Sequence, residues 1–578
     1  MSLDVSQKRR AVTVTAAIAV ALLLLVGRLY QIQILSSEEF SERAQRQYKT
    51  VIEELPPRGD IFCMDGTGKT LLATTVLRPA LSANPRQIID RESLACRLSE
   101  ILHMDRDALL AMLRDDTLPD GRPRYYVLLA RHLTDKQAEA VRALNAGGLT
   151  LKDEPKRVYP QGRMLGTVLG ITGVDKNNLQ NKGLEGLELY YDEILRGEPG
   201  YRELVVDALG NGLKLPGCRE VPAKKGGNLL LTINSRMQRI VEEELRAAFH
   251  KWKPASATAI VMDPYTGDIL AMANLPDFDP NDPCAYPESA RRNRAVTDSY
   301  EPGSTFKPLI GCAVLEERLA TLDTSFKCFG PVRGRTIGDH ASGWLSMRDV
   351  IVRSSNRGAA WFGVLLDENG MKLRPWVRRF RFGEPTGVDM PGEVGGRVTA
   401  ARDWTGYSTT SVPFGQEIAV TPLQLVRAFC AIPNGGLLVR PRIVKAIVDD
   451  DGNVIRETGN DERVRVMSEE TARRMRTVLE GVVSDPRGTG HRSRLKEYRM
   501  AGKTGTAQKA VRGEYSHSTH VGYFVAFAPV EQPRICVLVV MNEPKGRYYG
   551  GTVAAPAASR IVLRSLKSMG VPERGAGS

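Results

Sequence analysis

The segment from Ala11 to Gly27, AVTVTAAIAVALLLLVG, contains no charged side chain, and apolar character resumes after Arg28 as LYQIQIL to Leu35. A bilayer core requires roughly 20 apolar residues in helical form, because lipid offers the backbone no hydrogen-bonding partner. Residues 11–35 are therefore expected to form a transmembrane anchor, with Arg28 snorkelling to the far interface. The two threonines are tolerable because their hydroxyls can bond back to helix carbonyls. Lys8, Arg9 and Arg10 precede the run, while Glu38 and Glu39 follow it. That asymmetry makes residues 1–10 a cytoplasmic tail and places everything after Leu35 outside the inner membrane, in the periplasmic or extracytoplasmic space. The rival reading, a cleaved signal peptide, needs a small-x-small site after the run, and GRLYQIQ supplies none.

An anchor changes what the composition means. The chain has 578 residues, 42% of them apolar, with 80 Lys+Arg against 67 Asp+Glu and a net charge of +13. The apolar fraction excludes a wholly disordered chain. The positive charge would by itself admit nucleic acid as a partner, but an exported body meets anionic lipid headgroups and wall polymers instead. The basic run LRPWVRRFRFGE (373–384) reads as a solvated helix face whose Trp376, Val377 and Phe380 point inward. The eight cysteines are scattered without a CxxC, so most are expected to be small buried hydrophobes. His517-Ser-Thr-His520 has the spacing of a metal pair but no partnered Glu or Cys, and is expected to be a pair of loop histidines. Neither a metal nor a cofactor is expected.

Residues 36–250 are polar, with mixed helix and strand signals. DRESLACRLSEILHMDRDALLAML reads as two short amphipathic helices with Asp or Ser caps, and LPDGRPR (118–124) as a turn or linker. Gly66-Thr-Gly68-Lys69-Thr70 imitates the end of a phosphate-binding loop, but Cys63 stands where that loop needs glycine, so a turn is expected. From about residue 255 the texture changes. ATAIVMDP and GDILAMAN flank Tyr265-Thr266-Gly267 as a β-hairpin, and HVGYFVAFAP and PRICVLVVMN read as two more strands near the C-terminus. Mostly helical sequence separates the two pairs. The fold class is α+β: an antiparallel sheet drawn from both ends of a domain, with a helical region inserted. A helix over 556–568 closes it, and residues 569–578 read as a disordered tail.

Three short motifs follow in order: Ser304-Thr-Phe-Lys307, Ser354-Ser-Asn356 and Lys503-Thr504-Gly505-Thr506. Ser354 lies 50 residues and Lys503 199 residues beyond Ser304. The decoys Ser493–Lys496 (SxxK) and Ser82–Asn84 (SxN) do not fit this order. An ordered SxxK, SxN and KTG set is the signature of serine acyltransferases of the penicillin-binding and β-lactamase class. Glu301-Pro302-Gly303 makes a turn that puts Ser304 at a helix N-terminus, where free N–H groups favour developing negative charge. Residues three apart share a helix face, so Lys307 reaches Ser304, and a buried lysine beside another cation loses its proton near neutral pH and acts as base. KTGT reads as an edge strand in which Gly505 lets a ligand approach the backbone. Lys503 and Thr506 suit a carboxylate, and the Thr506 N–H pairs with that of Ser304 as an oxyanion hole.

Nearly the whole chain resembles the class B penicillin-binding proteins, the monofunctional transpeptidases of bacterial wall synthesis. The resemblance rests on PPRGDIFCMDGTGKTLLA, RVYPQGRMLGTVLGITG, GLEGLELYYDEILRGEPG, EPGSTFKP, RSSN, DMPGE, GQEIAVTPLQL and AGKTGTAQ. Departures from the usual pattern, at Met64, Asp65 and Asn234, lie outside the active-site motifs. The resemblance implies a penicillin-binding transpeptidase fold, with a pedestal or dimerisation-type domain over 36–250 and a transpeptidase domain over 251–568. It implies that Ser304 is the acylated nucleophile, Lys307 its general base and Ser354 the proton relay. Asn356 then holds the substrate amide, Lys503 and Thr504 tune the site beside Gly505, and Thr506 grips the terminal carboxylate. The implied substrates are peptidoglycan stem peptides, with β-lactams as inhibitors. The implied partners are a polytopic glycosyltransferase of the SEDS type and other division proteins. Length and the GQEIAVTPLQL segment resemble the septal (division or spore cortex) subfamily. The alternatives are a β-lactam-sensing or β-lactam-hydrolysing protein and an elongation-type transpeptidase.

Overall fold

The computed structural model describes residues 5–38, 49–66, 68–174, 181–206, 212–213, 219–459, 462–511 and 514–574. They fall into two compact units, Met1–Pro56 with Glu198–Lys224, and Pro57–Gly197 with Lys225–Ser578. In the first unit, helix α1 (Val5–Tyr30) continues as a π-helical turn over Gln31–Leu35. Arg9–Leu35 is long and apolar enough to cross a membrane. The hydroxyls of Thr13 and Thr15 donate to the carbonyls of Arg9 and Ala11 at 2.9 and 2.8 Å, which is how a helix in lipid hides a threonine. Lys49–Glu54, Gly212–Leu213 and Glu220–Val221 each pair antiparallel with Gly200–Val206.

In the second unit, a five-stranded antiparallel sheet forms from β1 (Ser256–Met262), β2 (Ile269–Leu275), β3 (Ala501–Val511), β4 (Glu514–Ala528) and β5 (Ile535–Asn542), in the spatial order β2-β1-β5-β4-β3. Strands from both ends of the domain thus join one sheet, meeting where β1 pairs with β5, as the pattern predicts. The first hairpin turns at Gly267 (φ +78°), with Asp263 accepting the N–H groups of Tyr265 and Thr266. β5 shows why its sequence is apolar up to Asn542. Side chains alternate between faces, so Val537, Val539 and Met541 enter one core while Leu538 and Val540 enter the other. Helices α2 (Ser235–Trp252) and α6 (Ala555–Ser568) cover the first face. The inserted helices α3 (Lys307–Glu316), α4 (Asn356–Glu368) and α5 (Glu469–Ser484) pack into the core on the second.

A seven-stranded sheet joins sequence on both sides of residue 250. Asn228–Asn234 runs parallel to Ile61–Asp65 and antiparallel to Val444–Val448. Gly68–Ala83 pairs with Ile61–Asp65, Val127–Ala130 and Leu149–Val158. Gly66 turns the hairpin of the phosphate-loop lookalike at φ +61°. The two expected amphipathic helices are Arg91–Leu102 and Arg106–Arg114, capped by Asp90 and Asp105. Helix Leu373–Arg379 buries Trp376 and Val377, with Phe380 also inside. Cys63, Cys312, Cys328, Cys430 and Cys536 are buried, Cys96 and Cys284 exposed, and Cys218 lies outside the described residues. The tail differs from the disorder expected of it as far as residue 574. Tyr498 Oη donates to the Val571 carbonyl and the Arg574 N–H to that of Glu497, both at 2.8 Å; residues 575–578 lie outside the described residues.

One buried ionic cluster locks the PPRG segment. Arg58 Nε donates to Glu188 Oε2 at 2.5 Å, and Arg58 Nη1 to Asp192 Oδ1 at 2.6 Å. Arg157 Nε donates to Glu188 Oε1 at 2.7 Å. Glu188 is fully buried, so both carboxylate oxygens depend on these guanidiniums. Removing one partner leaves a buried charge uncompensated, at a cost of about 3–5 kcal/mol. Glu188→Ala is accordingly expected to lower the unfolding midpoint of the detergent-solubilised protein steeply; an unchanged melt would contradict the role given to this cluster.

Candidate active site

Ser304 lies in a 3-10 turn, Gly303–Phe306, that runs directly into α3. With three residues per turn, positions i and i+3 eclipse, and Lys307 Nζ lies 2.9 Å from Ser304 Oγ. Close approaches fix the turn. A Cβ on Gly303 (φ +54°) would come within 2.7 Å of the Thr506 carbonyl oxygen, and one on Gly505 within 2.7 Å of Thr305 Cγ2. Gly505, expected from the KTGT pattern to open the strand to a ligand, is also required for packing β3 against the serine turn.

Ser354 sits between helix Met347–Val352 and α4 at φ +62°, a left-handed conformation uncommon for a residue with a side chain. The segment is held from behind. Ser355 Oγ accepts the Gly358 N–H at 3.1 Å and donates to Asp339 Oδ2 at 2.5 Å, which also accepts the Arg357 N–H at 2.8 Å. Asn356 Nδ2 donates to the Gly338 carbonyl at 2.8 Å, and this orients the amide with Oδ1 2.7 Å from Lys307 Nζ.

Lys307 is fully buried. Burial lowers its pKa to about 7, against a partial opposing pull from the Asp339 carboxylate. Its Nζ lies 2.6 Å from the Ser354 carbonyl oxygen, 2.7 Å from Asn356 Oδ1 and 3.2 Å from Ser354 Oγ. A neutral amine has two N–H donors and one lone pair. The carbonyl oxygen and the amide oxygen can only accept, so they take the two N–H groups and leave the lone pair for a hydroxyl. Lys503, on β3 and also fully buried, donates to Ser354 Oγ at 2.9 Å and to the Thr504 carbonyl at 3.1 Å. Burial, and then repulsion from Lys307, pushes its pKa well down. The two amines thus meet at one serine hydroxyl.

β3 is the edge strand of its sheet, as expected for KTGT. Thr504 Oγ1 bonds Thr489 Oγ1 at 2.7 Å, and Thr506 Oγ1 accepts the Gly550 N–H at 3.1 Å. Ser304, Ser354, Asn356, Thr504, Gly505 and Thr506 all border one cleft of about 950 Å³, with Lys307 and Lys503 beneath it. Two supports lie outside the predicted site residues. Asp339 belongs to a loop with no motif spacing, and only tertiary contact joins it to Ser355. Glu301 lies in the EPG turn. Its Oε1 accepts the Glu417 N–H and the Tyr515 hydroxyl, both at 2.9 Å, while its carbonyl accepts the Tyr523 hydroxyl at 3.0 Å. The histidine expectation is corrected. His517 and His520 lie within β4, not in a loop, and the buried His520 ring stacks on Tyr548 with centroids 4.0 Å apart. A run of apolar residues begins only at Val521, so period-two reading stops short of the polar half of this strand.

A lysine-paired serine, an SxN turn and a KTG edge strand around one cleft define the serine acyltransferases of the penicillin-binding class. Residues 257–563 match the family described as the penicillin binding protein transpeptidase domain, and residues 53–231 the penicillin-binding protein dimerisation domain. The chain is 33% identical to the Stage V sporulation protein D of Bacillus subtilis, over 99% of this chain and 87% of that protein. It is 30% identical to the peptidoglycan D,D-transpeptidase FtsI of Escherichia coli, over 96% and 91%. Penicillin binding protein 3 of Mycobacterium tuberculosis, solved in complex with aztreonam, superposes with a TM-score of 0.68 at 26% identity, covering 91% of this chain and 99% of that one. The chain belongs to the penicillin-binding protein transpeptidase family, in its class B branch with a dimerisation domain.

The lysine geometry makes a pH prediction. The neutral fraction of an amine titrating at about 7 grows as pH rises. The rate at which a β-lactam acylates Ser304 is therefore expected to climb between pH 6 and 8, roughly tenfold per unit below the midpoint, and then level off. Stopped-flow labelling across this range checks it, and a rate independent of pH would count against Lys307 as the proton acceptor.

Proposed function

We propose that this protein is a serine D,D-transpeptidase that cross-links peptidoglycan stem peptides through an acyl-enzyme on Ser304, in septal wall synthesis. The observation that carries the reading is the buried Lys307 amine 2.9 Å from Ser304 Oγ, with its two N–H groups engaged elsewhere. Lys307 takes the Ser304 proton as Oγ attacks the carbonyl of the penultimate D-Ala. A C–O bond forms, the C–N bond breaks, and the terminal D-Ala leaves with a proton relayed through Ser354. An amine of a neighbouring stem then attacks the ester. A C–N bond forms, the C–O bond breaks, and the amine's proton returns to Ser304. The N–H groups of Ser304 and Thr506 bind the oxyanion. Asn356 holds the donor's amide, Thr506 grips its terminal carboxylate, and Lys503 with Thr504 sets the charge around Ser354. β-Lactams acylate the same serine and leave slowly.

The catalytic body is read as residues 251–568 and the pedestal as 36–250, anchored by 11–35 with residues 1–10 in the cytoplasm. Arg9 and Arg10 before the apolar helix support that orientation. A polytopic glycosyltransferase of the SEDS type, with other division proteins, is the proposed partner at the anchor and pedestal. The name of the Escherichia relative supports peptidoglycan D,D-transpeptidation, and that of the Bacillus relative a role in sporulation.

Membranes containing the wild-type protein are expected to take up fluorescent penicillin at this chain and to retain it. Ser304→Ala is expected to abolish the label, and persistent labelling of that variant, or rapid turnover by the wild type, would reject the reading. Depletion in the native cell is expected to produce filaments; rounded cells would indicate elongation instead of septal work.

A further inference from the structure

The cleft wall beside Thr504 is cationic. Arg353, immediately before Ser354, and Arg492, in the 3-10 turn His491–Ser493, both border the cleft. Thr489 ties their segments to the active strand: its N–H donates to the Val352 carbonyl at 3.4 Å, and its Oγ1 bonds Thr504 Oγ1 at 2.7 Å. Neighbouring arginines are committed. Arg357 donates to the Cys328 carbonyl at 3.4 Å, and Arg487 pairs with Asp485 at 2.8 Å and Asp349 at 3.4 Å. The guanidiniums of Arg353 and Arg492 have no hydrogen bond or ion pair among the described residues. Asp485, which feels the charge of Arg353, is already held by Arg487. Asp339 is the one carboxylate bordering the cleft among the described residues, and it is spent on Ser355 Oγ and the N–H groups of Arg357 and Ala341. This wall therefore has positive charge to offer and no protein anion to receive it.

Its position suggests the ligand. Thr504 and Thr506 are two residues apart on β3, about 7 Å along the strand. In the proposed reaction Thr506 holds the terminal D-Ala, the group that departs. The incoming amine forms its C–N bond where the old one broke, so the acceptor occupies the leaving-group side, the side these arginines border. We propose that Arg353 and Arg492 form a carboxylate subsite for the acceptor stem, selecting an acceptor that keeps a free carboxylate beside its amine over one in which that group is amidated. A guanidinium donates two parallel N–H bonds to a carboxylate, whereas a carboxamide offers one neutral oxygen. This inference rests on Ser304 carrying the acyl group.

The test uses the full-length protein in detergent with a D-Ala thioester donor. Two soluble tripeptide acceptors ending in a diamino acid compete for the acyl group, identical except that one has a carboxylate and the other a carboxamide beside the amine. The wild type is expected to transfer to the carboxylate acceptor about tenfold faster. R353Q/R492Q is expected to reduce that ratio below about threefold, and 0.5 M salt to shrink it in the wild type. Because Arg492 is exposed, R492Q alone keeps the comparison readable if the double variant is unstable. Equal use of both acceptors by the wild type overturns the proposal, as does a ratio that survives in the variants, which would place carboxylate recognition elsewhere, at Thr506. Failure to consume donor at all rejects Ser304 as the acyl carrier, and is read separately from acceptor choice.

Discussion

Burying the Lys307 amine is the constraint on which the rest of the site depends. An ammonium taken out of water costs several kcal/mol unless it is paired or gives up its proton. Here the surroundings favour the neutral form and then assign its hydrogens, one to the Ser354 carbonyl and one to Asn356 Oδ1. That arrangement requires the SxN segment to present a carbonyl, a hydroxyl and an amide to one point. A regular helix cannot do so, which gives a physical reason for Ser354 at φ +62°. Asp339 then fastens the displaced turn through Ser355 and the Arg357 N–H. The second lysine, from β3, reaches the same hydroxyl, and Lys307 adds to the burial that holds this second amine well below its ordinary pKa.

The scaffold supplies rigidity at that point by burying the sheet on both faces. Alternation along β5 sends successive side chains into opposite cores, so neither face is left to solvent. β3 lies at the edge, and its one unpaired side is the place where an extended peptide can add to the sheet. Glycines 303 and 505 let the serine turn and this edge strand touch backbone to backbone. Elsewhere, the Arg58–Glu188–Arg157 cluster performs the same kind of task with charge, since two guanidiniums compensate one buried carboxylate.

Much of this was legible before any coordinates. The Tyr265-Thr266-Gly267 hairpin, the largely apolar β5 and the buried helix α3 follow from period and turn chemistry alone. The eight motif residues also come together, six bordering one cleft with Lys307 and Lys503 beneath it, although Lys503 lies 199 residues beyond Ser304. What stayed hidden was non-local. Asp339 has no spacing signal, the polar start of β4 masks His517 and His520 as strand residues, and nothing local pairs Asn228–Asn234 with Val444–Val448. The tail looks disordered because its composition is polar and Gly-rich, yet the Tyr498 hydroxyl donates to the Val571 carbonyl and the Glu497 carbonyl accepts the Arg574 N–H.

The sequence by itself determined the long apolar helix, the α+β class and the motif residues that meet at the cleft, because each depends on local composition, period or order. Tertiary structure alone decided which proton each amine keeps, since that depends on acceptors brought from residues 354 and 356 to a lysine at 307. It alone also decided that two arginines on separate segments share a cleft whose one bordering carboxylate among the described residues, Asp339, is engaged elsewhere. Charge, donor count and burial are properties of a place in space, and the chain creates that place only when distant segments meet.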